Sequence, residues 1–176
     1  MRFILATFLT LCTWTLGGGQ RVHLFPDDQL VFRDMIAHVE NNVVRMGATW
    51  SGEVAFTLQD DGMWDEVHLH RGFSSSALDI AFTVREGQLV LGDTHFSDGI
   101  LYSFSEGQIF MGDSTFPMDV AYTLREERPA FPSRSGAPTF GVYKEDSRAW
   151  TDRVAVVEGV ATPAQLYALL SAAGLL

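Results

Sequence analysis

The chain has 176 residues, 47% of them hydrophobic, and a formal net charge of −10. That length and apolar content suit a single domain with a substantial core and argue against disorder. Lys144 is the only lysine and the arginines are scattered. The clustered cations that a nucleic acid or an anionic membrane surface requires are therefore missing.

Arg2 is followed by an apolar run from Phe3 to Leu16 and then by Gly17, Gly18, Gly19 and Gln20. A positive start, an apolar stretch and small residues before a cut match a secretory signal over residues 1–19. The run is shorter than the roughly 20 residues of a membrane-spanning helix, so no transmembrane span is expected in the mature chain. The expected location is outside the cytoplasm: periplasm, cell surface or medium. Cys12 is the only cysteine. A chain cut after Gly19 has no disulfide or thiolate chemistry and relies on core burial.

Residues 20–125 read as tandem β units of roughly 20 residues. Residues 80–99 (IAFTVREGQLVLGDTHFSDG) and 100–119 (ILYSFSEGQIFMGDSTFPMD) are the clearest copies, and a third opens at 120 with VAYTLREE. The two full copies share a strand, a Glu-Gly turn, a Gln, a second strand and then Gly-Asp-Thr/Ser, a pattern the third loses after its first strand. Residues 54–79 are a divergent copy with its turn expanded at Asp60-Asp61-Gly62-Met63-Trp64. Residues 36–53 turn at Asn41-Asn42, and a shortened unit with a turn at Asp27-Asp28 precedes them.

The alternation within each unit has a period of two, which marks strands. Val54, Phe56 and Leu58, then Ile80, Phe82 and Val84, then Ile100, Tyr102 and Phe104, and Val120, Tyr122 and Leu124 share a large apolar face. Ala55, Thr57, Ala81, Thr83, Ser103, Ala121 and Thr123 form a small-residue face, expected to be wet. Glu-Gly and Asn-Asn turns join antiparallel neighbours. The expected fold class is all-β: hairpin repeats in an antiparallel meander curled into a sheet, barrel or sandwich, with a stacked solenoid as the competing arrangement.

The Pro- and Ser-rich segment 126–138 reads as a loop. Residues 139–176 then supply two more strands, at 139–143 and 153–157, and one helix, as part of the same domain. Thr162, Pro163 and Gln165 are its N-cap, N1 residue and capping-box partner, and Gly174 ends it. This helix is expected to cover an open end of the sheet.

Candidate chemistry is sparse. His68 and His70 lie two apart on a strand beside Asp65 and Glu66, a spacing that can share a metal. The cupin pattern fails at Phe73, Ser74 and Ser75, and the repeat puts both histidines on the outer face. They are expected to be solvated, and no metal or other cofactor is expected. The loops after Gly92 and Gly112 carry Asp and Ser/Thr that cap their own turns; their spacing fits neither an EF-hand loop nor the glycine-rich nonapeptide calcium roll. Phe96 and Phe116 hold equivalent loop positions, and Trp50 sits close to that place in its own unit. These three aromatics are expected along one rim, where they would engage a protein or carbohydrate. The opposing reading tucks them under the sheet as core plugs.

No nucleophile elbow, phosphate-cradling loop, His-Glu-x-x-His or catalytic cysteine occurs, so no catalytic residue is assigned. The sequence points to an exported, non-catalytic binding or assembly protein, possible as an oligomer. The alternative is a barrel enzyme or carrier with an aromatic-lined pocket.

Overall fold

The computed structural model describes residues 21–26, 32–62, 66–94, 99–127 and 136–176. The expected signal at 1–19, the turn at Asp27-Asp28, Phe96 and most of the 126–138 loop lie outside those residues.

Twelve antiparallel strands close into a barrel. They are β1 (Val22–Pro26), β2 (Ala37–Glu40), β3 (Val43–Met46), β4 (Val54–Asp60), β5 (Glu66–Arg71) and β6 (Ile80–Arg85). Then come β7 (Gln88–Leu91), β8 (Ile100–Ser105), β9 (Gln108–Met111), β10 (Val120–Glu127), β11 (Thr139–Lys144) and β12 (Arg153–Glu158). Chain neighbours pair throughout, and β12 pairs with β1 to close the ring. The strands therefore group as six hairpin units, the sixth made from the two ends of the chain. Closure removes every sheet edge, which decides between barrel, sandwich and solenoid.

The two ends of the barrel differ. At one end sit tight turns, with positive φ at both central residues of Asn41-Asn42, Glu86-Gly87 and Glu106-Gly107. That is the mirror-image turn whose twist matches a hairpin. At the other end sit the longer connections 47–53, 72–79, 92–99, 112–119 and 145–152.

Inward side chains form a belt of cross-strand pairs: Val44–Phe56, Leu58–Leu69, Leu69–Phe82, Val84–Leu89 and Leu89–Tyr102. It continues through Phe104–Ile109, Ile109–Tyr122, Leu124–Val142 and Val142–Ala155, and returns by Val157–Leu24 and Leu24–Ala37. The large apolar face thus points inward, with one correction. Register shifts leave Ala55, Ala81, Leu101, Ala121 and Val154 as extra residues. Each bulge advances the alternation by one and sends the residue before it to the other face. Ile80 accordingly pairs with His70, Ile100 with Val90 and Val120 with Phe110, all on the outer wall. The expectation that Ile80 and Ile100 point inward with Phe82 fails for that reason.

The small-residue face is not wet either. Thr83, Ser103 and Thr123 are buried. Their hydroxyls donate to the carbonyls of Gly92, Gly112 and Glu145 at 2.7–2.8 Å. The N–H groups of those three residues donate in turn to the bulge carbonyls of Ala81, Leu101 and Ala121. Thr57 and Gly72 repeat the clamp on Ala55. Gly92 has φ +64, which explains a glycine there: a side chain has room but pays for the left-handed backbone.

The helix α1 (Pro163–Ala172) has the expected capping box, but it does not lid the sheet. Seven successive residues, Ala164–Leu170, are buried, so every side of the helix is covered. They share one core cluster with the inward residues of the strands. Tyr167 donates to the carbonyl of Gly87 (2.9 Å), and Tyr122 on the inner wall donates to the carbonyl of Leu175 (2.6 Å). The helix runs inside the barrel and fills it. Burial raises the Tyr167 phenol well above its usual range.

Candidate functional site: the loop end of the barrel

Among the described residues, ten large apolar side chains are exposed, and all but Val160 lie at the loop end. Two sets can be told apart. Leu78, Leu91, Leu101, Met111 and Met118 belong to neighbouring strands and loops between β5 and β10. With strands about 4.8 Å apart, the arc from Leu78 to Met118 spans roughly 20 Å. Leu78 is 95% exposed and Met118 85%. Trp50, Phe73, Phe116 and Trp150 are carried on the connecting loops themselves.

The loops are shaped by one recurring device. Ser74, Ser114 and Ser147 each donate to a carboxylate five residues on (Asp79, Asp119, Asp152), at 2.6, 2.5 and 2.5 Å. Each hydroxyl also accepts from the N–H two residues on. A short 3-10 turn follows in each: Ala77–Asp79, Pro117–Asp119 and Trp150–Asp152. Leu78 and Met118 sit at the same place in two of these turns. Such pre-set loops lose little freedom on binding, which favours affinity. In the 92–99 loop Thr94 and Gly99 stand where Ser114 and Asp119 stand; a Cβ on Gly99 would lie 2.5 Å from the Thr94 methyl, so the pair has changed together.

The loops also fold down over the outer wall. His70 donates from Nδ1 to the Ser76 carbonyl (3.0 Å) and is only 2% exposed. The expectation of a solvated His70 is corrected: its position is on the outer face, but the 72–79 loop covers it. His68 stays half-buried, its Nδ1 3.1 Å from the Thr83 hydroxyl. The two imidazole rings lie 6.2 Å apart, edge to face.

Trp50 is 58% exposed and lies against the Arg21 guanidinium (5.7 Å) and the His38 ring (6.2 Å). Phe116 is 68% exposed and precedes its 3-10 turn. Trp50 follows β3 and Phe116 follows β9, which puts them half a barrel apart. They share an end of the molecule without forming a row. Leu78, Leu91, Met111 and Met118 were missed by a search confined to aromatics. Their signal was present: Leu91 and Met111 each precede a loop glycine, 20 residues apart, and Leu78 and Met118 each precede a loop aspartate.

Beside Trp150 the outer wall carries an ionic group. The Trp150 ring lies 3.6 Å from the Arg153 guanidinium, which pairs with Glu127 at 2.6 Å. Tyr143 donates to Glu127, and burial followed by that hydrogen bond raises the Tyr143 phenol. Gly141 makes room for them: a Cβ there would lie 2.3 Å from the Glu127 carboxylate and 2.8 Å from the Tyr143 ring.

Depressions open at this end. One, of about 730 Å³, is bounded by Met111, Pro117, Met118, Tyr122, Lys144 and Asp152. Another, of about 470 Å³, lies over Ser171 and Leu176, between Phe56, Phe82 and Arg71.

The six hairpin units of this barrel accord with a family described as six-fold. Residues 18–131 match the model of the "6-fold beta flower protein" family. The chain belongs to that family. No curated protein matches it. Among solved structures, a protein of Arabidopsis thaliana is similar at 15% identity and a TM-score of 0.42, over 89% of this chain and 90% of that one. A likeness of that degree bears on nothing further. In this β-flower barrel no described helix is long and apolar enough to cross a membrane.

Proposed function

We propose that this β-flower protein is an exported, non-catalytic binding or assembly protein that holds a protein partner at its loop end. The observation that carries the reading is the segregation of exposed apolar side chains to that end. A monomer seldom leaves such a patch uncovered. The sites that interface energetics favour are aromatic anchors set among well-packed neighbours, and Phe116 and Trp150 stand on loops already fixed by Ser–Asp hydrogen bonds. The crest consists of Leu and Met, whereas a sugar is stacked by flat aromatic faces; this favours protein over carbohydrate. Export rests on the residues 1–19 pattern. The rival reading, a barrel enzyme or small-ligand carrier with an aromatic-lined pocket, has less support, because α1 packs among the inward residues of the strands. The test is copurification from the native host of the wild-type protein and of a Phe116→Ser/Met118→Ser variant. Loss of the wild-type partner with the melting temperature held is the expected result; retention of the same partner overturns the reading.

A further inference from the structure

One hairpin unit departs from the other copies in three places at once. Glu86-Gly87-Gln88 and Glu106-Gly107-Gln108 correspond to Glu66-Val67-His68, and the turn before them is expanded to include Asp61. The added Asp61 and the substituted His68 converge in space on Glu66, the residue that keeps the glutamate of the other copies. The ligand atoms of Asp61, Glu66 and His68 all lie within 4.8 Å of one another. His70, the partner expected from sequence spacing, is held by Ser76 under its loop and takes no part.

The hydrogen-bond chain at His68 settles which ring nitrogen can coordinate. Thr83 donates its one hydroxyl proton to the Gly92 carbonyl (2.7 Å). Toward His68 it can therefore only accept, so Nδ1 is the protonated nitrogen and its contact at 3.1 Å is a donation. In the neutral ring the lone pair is then on Nε2. A hydrogen bond that fixes the tautomer and orients the ring is the usual support for a metal-ligating histidine. Glu66 is 3% exposed and accepts from Arg85 at 3.1 Å. A carboxylate has about four lone-pair sites, so it can serve a guanidinium and a metal together. Two carboxylates and one ring lone pair make an electron-rich set around a single guanidinium.

We propose that Asp61, Glu66 and His68 form a binding site for a divalent transition-metal ion, with zinc as the best match. Mixed imidazole and carboxylate ligands suit zinc, whereas calcium and magnesium prefer all-oxygen sets. Water completes the coordination. The site lies at the turn end, away from the apolar crest, so it stands or falls independently of the proposed function.

The test is calorimetric titration of Zn²⁺ into the full, chelator-stripped chain, repeated with His68→Asn and Asp61→Asn. These near-isosteric changes keep the turn, which circular dichroism checks. One ion per chain is expected, bound at least about 10-fold more weakly by each variant. Nitrogen NMR should show Nε2 of His68 shifting on zinc addition while Nδ1 stays protonated. Absence of zinc uptake by the wild type overturns the proposal, as does uptake that both variants retain in full, which would place the ion on other histidines.

Discussion

Leu169 lies at the centre of α1 with no exposed surface, and its replacement by alanine tests whether the helix fills the barrel. The inward belt that surrounds it belongs to a closed sheet. Such a wall cannot collapse around a lost side chain, so a cavity remains. Deleting a buried leucine in that setting costs about 3–5 kcal/mol. For a chain of this size each kcal/mol shifts the melting temperature by about 2–4 °C, so a fall of roughly 6–20 °C is expected. Tyr167→Phe removes only the bond to Gly87, whose carbonyl keeps the Phe104 N–H at 2.9 Å. It should therefore cost about 1 kcal/mol. Both are read by thermal unfolding followed by circular dichroism, with calorimetry to supply the enthalpy. A fall below about 2 °C for Leu169→Ala would refute the reasoning and put the helix at the periphery.

Alkaline pH gives a second expectation. Burial raises the Tyr167 phenol in the folded state, so its contribution is complete below the unfolded value near 10 and is lost as pH rises from there toward the folded value. Stability should fall by about 1.4 kcal/mol per pH unit above pH 10 for this group, and Tyr167→Phe should flatten that part of the denaturant-midpoint profile. Gly141→Ala should displace the Glu127 carboxylate and the Tyr143 ring, lowering the unfolding free energy by about 1–3 kcal/mol; an unchanged denaturant midpoint would mean that the outer-wall group yields freely. Thr83→Val should cost about 1 kcal/mol because it takes a partner from the half-buried Gly92 carbonyl and from His68 Nδ1–H, measured by urea unfolding.

The units, their tight turns and the capping box were legible because each is written in local chemistry: Glu-Gly and Asn-Asn for positive φ, and Thr162 with Gln165 for the helix start. The bulges were not. A single extra residue such as Ala81 leaves no mark in composition, yet it moves Ile80 to the outer wall. The position of α1 had a signal that stripe-counting overlooked: no charged residue occurs from Val160 to Leu176, which suits a helix covered on all sides better than a lid. The burial of His70 depended on a loop folding back over the strand that precedes it, a tertiary event that period-two patterning does not encode. At the loop end, Trp50 and Phe116 were found as aromatics, but the continuous arc is aliphatic and depends on barrel order.

The most direct test of the account replaces exposed apolar residues of the loop end and measures binding and stability together. The Phe116→Ser/Met118→Ser protein should keep its melting temperature within about 2 °C, since both side chains are largely exposed. It should lose the partner that copurifies with the wild type, with affinity reduced by at least about 2 kcal/mol, or roughly 30-fold, when the purified pair is titrated. Unchanged affinity, or a loss of binding that only follows a large loss of stability, would contradict the claim that the loop end is the working surface.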